Sequence, residues 1–78
     1  MGEVFRFKNI VVRIWSNDHE PPHVHIEAPD ASAIFLLDTL EVRESEGFSS
    51  RDIKRIREQL EMRKEKLLEK WEEIHGKS

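Results

Sequence analysis

The hydrophobic period of this chain changes once, near Gly47-Phe48, and that change constrains the fold more than any other feature. Before it, apolar residues recur at every second position; after it, at every third or fourth. In "NIVVRIW", Ile10, Val12 and Ile14 alternate with Val11, Arg13 and Trp15, and β-branched residues dominate. That pattern describes a strand with one strongly apolar face. "HVHIEA" repeats it, with Val24 and Ile26 set against His23, His25 and Glu27. "SAIFLL" gives a third run behind a Pro-Asp-Ala-Ser turn, and "EVFRF" a shorter fourth. Parallel neighbours would need crossovers of a dozen residues or more, so these short connections imply antiparallel pairing. Residues 38–46, where Leu40 and Val42 alternate, should lie extended at the sheet margin.

Beyond Gly47 the chain carries a helix start. Ser49 stands as N-cap, Asp52 follows three residues later, and Phe48 is placed for a hydrophobic staple against Ile53. Ile53, Ile56, Leu60, Leu67, Trp71 and Ile74 fall on one stripe, which Arg63 interrupts and Gly76 ends. The segment is therefore one long helix, or two that break near residues 62–64. A helix with one apolar stripe is made to lie on something, and the apolar sheet face is the available partner. The expected architecture is α+β: a small antiparallel sheet of three to four strands, with a C-terminal helix or helix pair packed on one face. Residues 1–78 should form one domain, its strand half about 3–46 and its helical half about 49–75. Ile10, Val12, Ile14, Val24, Ile26, Ile53, Ile56, Leu60, Leu67 and Trp71 should make one core.

Size and composition narrow the function classes. A chain of 78 residues without cysteine has neither disulfides nor thiolate metal sites. No apolar run approaches the ~18 residues of a membrane span, and Glu3, Arg6 and Lys8 do not suit a signal peptide. A cytoplasmic protein with no membrane association is the expectation. The net charge of −3 is unevenly spread. Residues 1–50 hold four basic and nine acidic side chains, whereas residues 51–70 hold eight basic and five acidic. A dedicated nucleic-acid domain is usually basic overall. The basic segment therefore reads first as a solvated helix face laced by pairs such as Lys54–Glu58 and Arg57–Glu61. Its exposed side, around Arg51, Lys54, Arg55 and Lys66, would meet an acidic partner protein, with RNA or DNA ranked second.

One stretch stands apart: "SNDHEPPHVH", residues 16–25, which holds three of the four histidines. If Ile10–Trp15 and His23–Glu27 pair, residues 16–22 form the connecting loop. Arg13, Trp15, His23, His25 and Glu27 then share the face away from the helices. His23 and His25 project to the same side with Cα atoms ~7 Å apart, and Asp18 and His19 sit in the loop above them. Three chemistries fit this surface. A His-x-His pair chelates divalent metals such as zinc, making His19, His23 and His25 candidate ligands, with Asp18 or Glu20 able to complete a tetrahedral set. Two imidazoles beside an arginine suit acid–base cleavage of a phosphodiester, with His23, His25 and Arg13 as candidate catalytic groups in a metal-independent, ribonuclease-like toxin. The third use is structural or interactive. Asn17 and Asp18 turn the chain, Pro21-Pro22 stiffens its return, and Asp18, His19, His23, His25, Trp15 and Arg13 form a binding surface. That third reading leads, and it requires no cofactor.

Taken together, "SNDHEPPHVHIE", the following "AIFLLD" and "GFSSRDIKRI…LLEKWEEIH" resemble the small bacterial proteins grouped as domain of unknown function 4160. The resemblance runs from about Phe7 to His75, and the Asn17-Asp18-His19 and Pro21-Pro22-His23-Val24-His25 core is its most specific part. It implies a protein of unknown biochemical activity, often encoded beside a second small domain, and in some cases one half of a toxin–antitoxin-like module. A protein partner from an adjacent gene is the corresponding expectation. Relatives often carry Asn near position 63, which would cap a second helix, whereas this chain has Arg63.

Overall fold

The computed structural model describes residues 3–76. Five strands precede two helices: β1 (Glu3–Phe7), β2 (Ile10–Arg13), β3 (His23–Ala28), β4 (Ala31–Leu36), β5 (Val42–Glu46), α1 (Ser50–Met62) and α2 (Lys64–His75). The strands form one antiparallel meander in the order β1-β2-β3-β4-β5. This is the expected α+β fold with one strand more than the three to four anticipated. The addition is β5, the segment expected to lie extended at the margin, which pairs Ser32 with Glu46 and Ile34 with Glu44.

Register places the alternating pattern on its two faces. Val12 stands opposite Ile26, and Val24 opposite Phe35. These residues, with Ile14, Ala33 and Leu37, are buried under the helices. Ile56, Leu60, Leu67 and Trp71 supply the helical side of the same core. Ile10 and Ile53, expected in the core, pack against its margin and stay partly exposed. Phe35, Leu37 and Leu40 join it from β4 and the connection to β5.

Two backbone positions set how the layers meet. Gly47 has φ +85°, and a Cβ there would lie 2.4 Å from the Asp30 carbonyl oxygen, so only glycine fits between β5 and α1. Leu40 is also left-handed, at φ 62°. That conformation is costly for a non-glycine residue. Its side chain is buried, and Arg57 Nε donates to its carbonyl at 3.0 Å, two contacts that oppose the cost. Arg57 also lies over the Phe35 ring, and no ion pair joins it to Glu61, or Lys54 to Glu58, among the described residues. The sequence expectation of those two i,i+4 pairs is corrected here: the sheet offers Arg57 a carbonyl and a ring face instead.

The helix starts as read, with Ser49 and Asp52 forming a reciprocal capping box. It breaks at Arg63, whose φ −119° and ψ 18° leave the helical region. No side chain caps α2. Arg63 Nη1 instead donates to Gln59 Oε1 at 2.7 Å, and the guanidinium lies 4.5 Å from the centroid of Phe5. Lys64 Nζ reaches the Asp38 carbonyl at 2.6 Å, so α2 begins against the β4–β5 connection. No helix among the described residues is long and apolar enough to cross a membrane.

Candidate functional site

The loop between β2 and β3 folds back on itself through Asp18. The Asp18 amide donates to the Trp15 carbonyl at 3.1 Å, and Asp18 Oδ2 accepts from the Trp15 amide at 3.0 Å. The side chain thus closes the turn, and it is also the hub of the histidine cluster. His25 Nε2 lies 3.1 Å from Asp18 Oδ1, and His23 Nε2 lies 3.5 Å from the same oxygen. Strand alternation puts both imidazoles on one side of β3, and their ring centroids are 5.2 Å apart. Ligand atoms of Asp18, His23 and His25 all lie within 4.8 Å of one another.

Acceptor chemistry assigns the protons. A carbonyl oxygen only accepts, so the 2.8 Å contact between His23 Nδ1 and the Pro21 carbonyl is an Nδ1–H donating. A carboxylate likewise accepts from His25 Nε2–H. Burial works to raise the Asp18 carboxyl. The Trp15 amide, the His25 hydrogen bond and the charge that His25 and His23 carry when protonated outweigh it, holding the group below the ordinary aspartate value.

The remaining sequence-predicted residues are distributed around this centre. Arg13 pairs across the strands with His25 and holds Glu27 Oε1 through Nε at 2.9 Å, its guanidinium 5.5 Å from the Trp15 centroid. Arg13 and Trp15 therefore flank the cluster on the expected face. His19 does not join it. The loop leaves His19 exposed, and Asp18 takes the place beside the two histidines that His19 was expected to share.

A second expectation also needs correction: His23 does not stand clear of the helices. The Trp71 ring of α2 lies 5.4 Å from His23, and Trp71 Nε1 donates to Glu20 Oε2 at 3.3 Å. His75 stacks on the other side of the tryptophan at 3.8 Å. Its Nδ1 donates to the Trp71 carbonyl, while its buried Nε2 has no partner among the described residues. Trp71 belongs to α2, the helix that follows the break at Arg63, and its ring packs against the hairpin. Strand alternation describes the sheet alone and could not reveal this wall. The available signal was the four-residue spacing of Trp71 and His75, which places both on one helix face.

Continuing from the cluster, the uncovered face of the sheet carries two transverse rows. One runs Arg13, His25, Ile34, Glu44, and the other Val11, Glu27, Ser32, Glu46. Between them lies a groove of about 550 Å³ lined by His25, Glu27, Ser32, Ile34, Glu44 and Glu46.

A five-stranded meander covered on one face by a helix pair, with a His-x-His strand tied to a loop aspartate, defines a small α+β protein with one histidine–carboxylate surface. The chain belongs to the family described as Domain of unknown function (DUF4160), which matches residues 9–72 and so includes the whole hairpin, the helix break and Trp71. No curated protein and no solved structure matches it.

Proposed function

We propose that the protein is the interaction component of a two-gene, toxin–antitoxin-like module, and that it holds the neighbouring gene's product on the open face of its sheet. The observation that supports this reading is the one-sided packing. The helices cover Val12, Val24, Ile26 and Phe35, while Ile34 stands at the centre of the other face among His25, Glu27, Ser32 and Glu44. An aliphatic centre with a polar rim is the usual anatomy of a protein interface. Charge specifies the partner. Arg13 is satisfied by Glu27, whereas Glu44 and Glu46 have no ion-pair partner among the described residues. The face therefore suits a protein that presents lysine or arginine. β5 is also the sheet edge, so an extended segment can add to it by main-chain pairing.

The test is co-expression with the adjacent gene's product, followed by calorimetry on the purified pair. A complex should form. Ile34→Arg should weaken it by roughly 30-fold or more, as expected for an interface centre. Lys54→Glu, on the basic side of α1 that the sequence offers to an acidic partner, should leave affinity unchanged. A loss there equal to that of Ile34→Arg would move the contact to the helices and overturn the proposal. Absence of a complex, or equal affinity for Ile34→Arg, would overturn the proposal.

The histidine-dependent nuclease is supported less well. Two-histidine catalysis needs both rings presented to one substrate, and His23 is packed against Trp71 with its Nδ1 held by the Pro21 carbonyl. The adjoining groove carries Glu27, Glu44 and Glu46, which repel a phosphodiester.

A further inference from the structure

The protonation pattern of His23 leaves one contact unexplained. Its Nδ1–H is donated to the Pro21 carbonyl, so in the neutral ring Nε2 carries a lone pair. That lone pair faces Asp18 Oδ1, itself an acceptor, across 3.5 Å. Two acceptors at this separation repel unless positive charge lies between them. A second proton on the ring meets that need, and so does a metal ion.

The geometry points to the ion. We propose that Asp18 Oδ1, His23 Nε2 and His25 Nε2 are the ligands of a divalent transition-metal ion of the zinc class. Zinc binds imidazole nitrogen and carboxylate oxygen at about 2.0–2.2 Å, which sets donors about 3.3 Å apart in a tetrahedron. Two of the three edges here are 3.1 and 3.5 Å, and all three ligand atoms fall within 4.8 Å, so small side-chain rotations complete the site. The donor set also excludes the harder ions. Two imidazoles and one carboxylate suit zinc, cobalt, nickel or iron, whereas magnesium and calcium take oxygen.

The surroundings are those of a metal centre. A ligand histidine ordinarily donates its other ring N–H to a carbonyl or carboxylate, which fixes the tautomer and the ring plane. The Pro21 carbonyl does this for His23, and Trp71 packs 5.4 Å from the same ring. The Trp15 amide fixes the carboxylate of Asp18. On binding, His25 shifts to its Nδ1–H tautomer: the Nε2 proton leaves to water, Nδ1 takes one up, and the Nε2 lone pair is freed for the ion. The side chains of Asp18, His23 and His25 remain 11, 15 and 24 % exposed, so water can reach the fourth position. Three protein ligands with an open position characterise exchangeable or reactive zinc, in contrast to closed structural sites.

The experiment uses the full chain stripped with a chelator, titrated with Zn²⁺ by calorimetry and with Co²⁺ by visible absorption. One ion per chain should bind, with the intense d–d bands of four- or five-coordinate cobalt. His23→Gln, His25→Gln and Asp18→Asn should each weaken Zn²⁺ binding at least about tenfold, the scale reached even by loss of second-shell partners. His19→Gln should bind as the parent does. Circular dichroism in chelator identifies any variant that fails to fold, and the parent cobalt spectrum needs no variant at all. Absence of stoichiometric uptake by the folded parent would overturn the proposal. So would the weak absorption of six-coordinate cobalt, or a loss on His19→Gln equal to that on His23→Gln.

Discussion

Replacing Asp18 with alanine removes one carboxylate and strands the donors gathered around it. The Trp15 amide and His25 Nε2 both lose their acceptor, and His23 loses its neighbour at 3.5 Å. A hydrogen bond to a charged group is worth roughly 1.5–3 kcal/mol net. Two such bonds converge on one side chain, so their contributions do not simply add, and water reaches part of the site. About 2–4 kcal/mol is the expected cost of Asp18→Ala in chelator at pH 7. A chain of this size has a total stability of about 4–12 kcal/mol, so the loss is a large fraction. Asp18→Asn keeps one carbonyl acceptor and should cost about half as much. Urea denaturation measures both, and a double-mutant cycle with His25→Gln isolates the pair, whose coupling should reach at least about 0.5 kcal/mol. If Asp18→Ala lies within about 0.5 kcal/mol of the parent, the hub does not hold the loop and the reasoning fails.

Three further outcomes are expected. Ile14→Ala and Leu60→Ala each empty a fully buried site and should cost about 2–5 kcal/mol by denaturation, whereas parent-like stability would contradict the packing of α1 on the sheet. Gly47→Ala should destabilise by more than the roughly 1 kcal/mol of a simple glycine effect, because φ is +85° and the new Cβ meets the Asp30 carbonyl; a thermal melt equal to the parent's would refute that close approach. In the metal-free protein, the lowered Asp18 carboxyl contributes stability that is complete above the unfolded aspartate value near 4 and fades as pH falls through the folded one. Asp18→Asn should flatten that acid limb, and an unchanged limb would assign it to other groups.

Much of this arrangement was legible because periodicity reports burial directly. Val12, Ile14, Val24 and Ile26 alternate with polar residues, so their face and register followed from the sequence. The capping box around Ser49 depends on residues three apart and was equally local. β5 carried a weaker signal: each of its five residues is exposed, so no apolar alternation separates it from a loop. The helix break was half legible, since Arg63 visibly interrupts the stripe. Its resolution depends on Phe5 and Asp38, more than twenty residues away, which receive Arg63 and Lys64. The pairing of His23 with His25 came from strand alternation, but Asp18 as their shared acceptor required the path of the loop. On sequence grounds Asp18 and His19 were neighbours above the same face, and only the turn closed on Trp15 separates their roles.

Trp71 shows why the hairpin and α2 act on one another. Trp71, in the helix that follows the break at Arg63, has two duties. Its ring belongs to the buried core with Leu67, and the same ring touches His23 while its indole N–H reaches Glu20. The hairpin loop is thus held at both ends, by Asp18 on Trp15 and by Glu20 on Trp71. A small sheet buries too little on one face alone to fix a nine-residue loop, and loop ordering costs about 1–2 kcal/mol per residue in backbone entropy. Side-chain contacts from α2 supply what the sheet lacks. The position of His23 is therefore set jointly by the strand that carries it and by a helix nearly fifty residues away, which links the order of the histidine surface to the docking of α2.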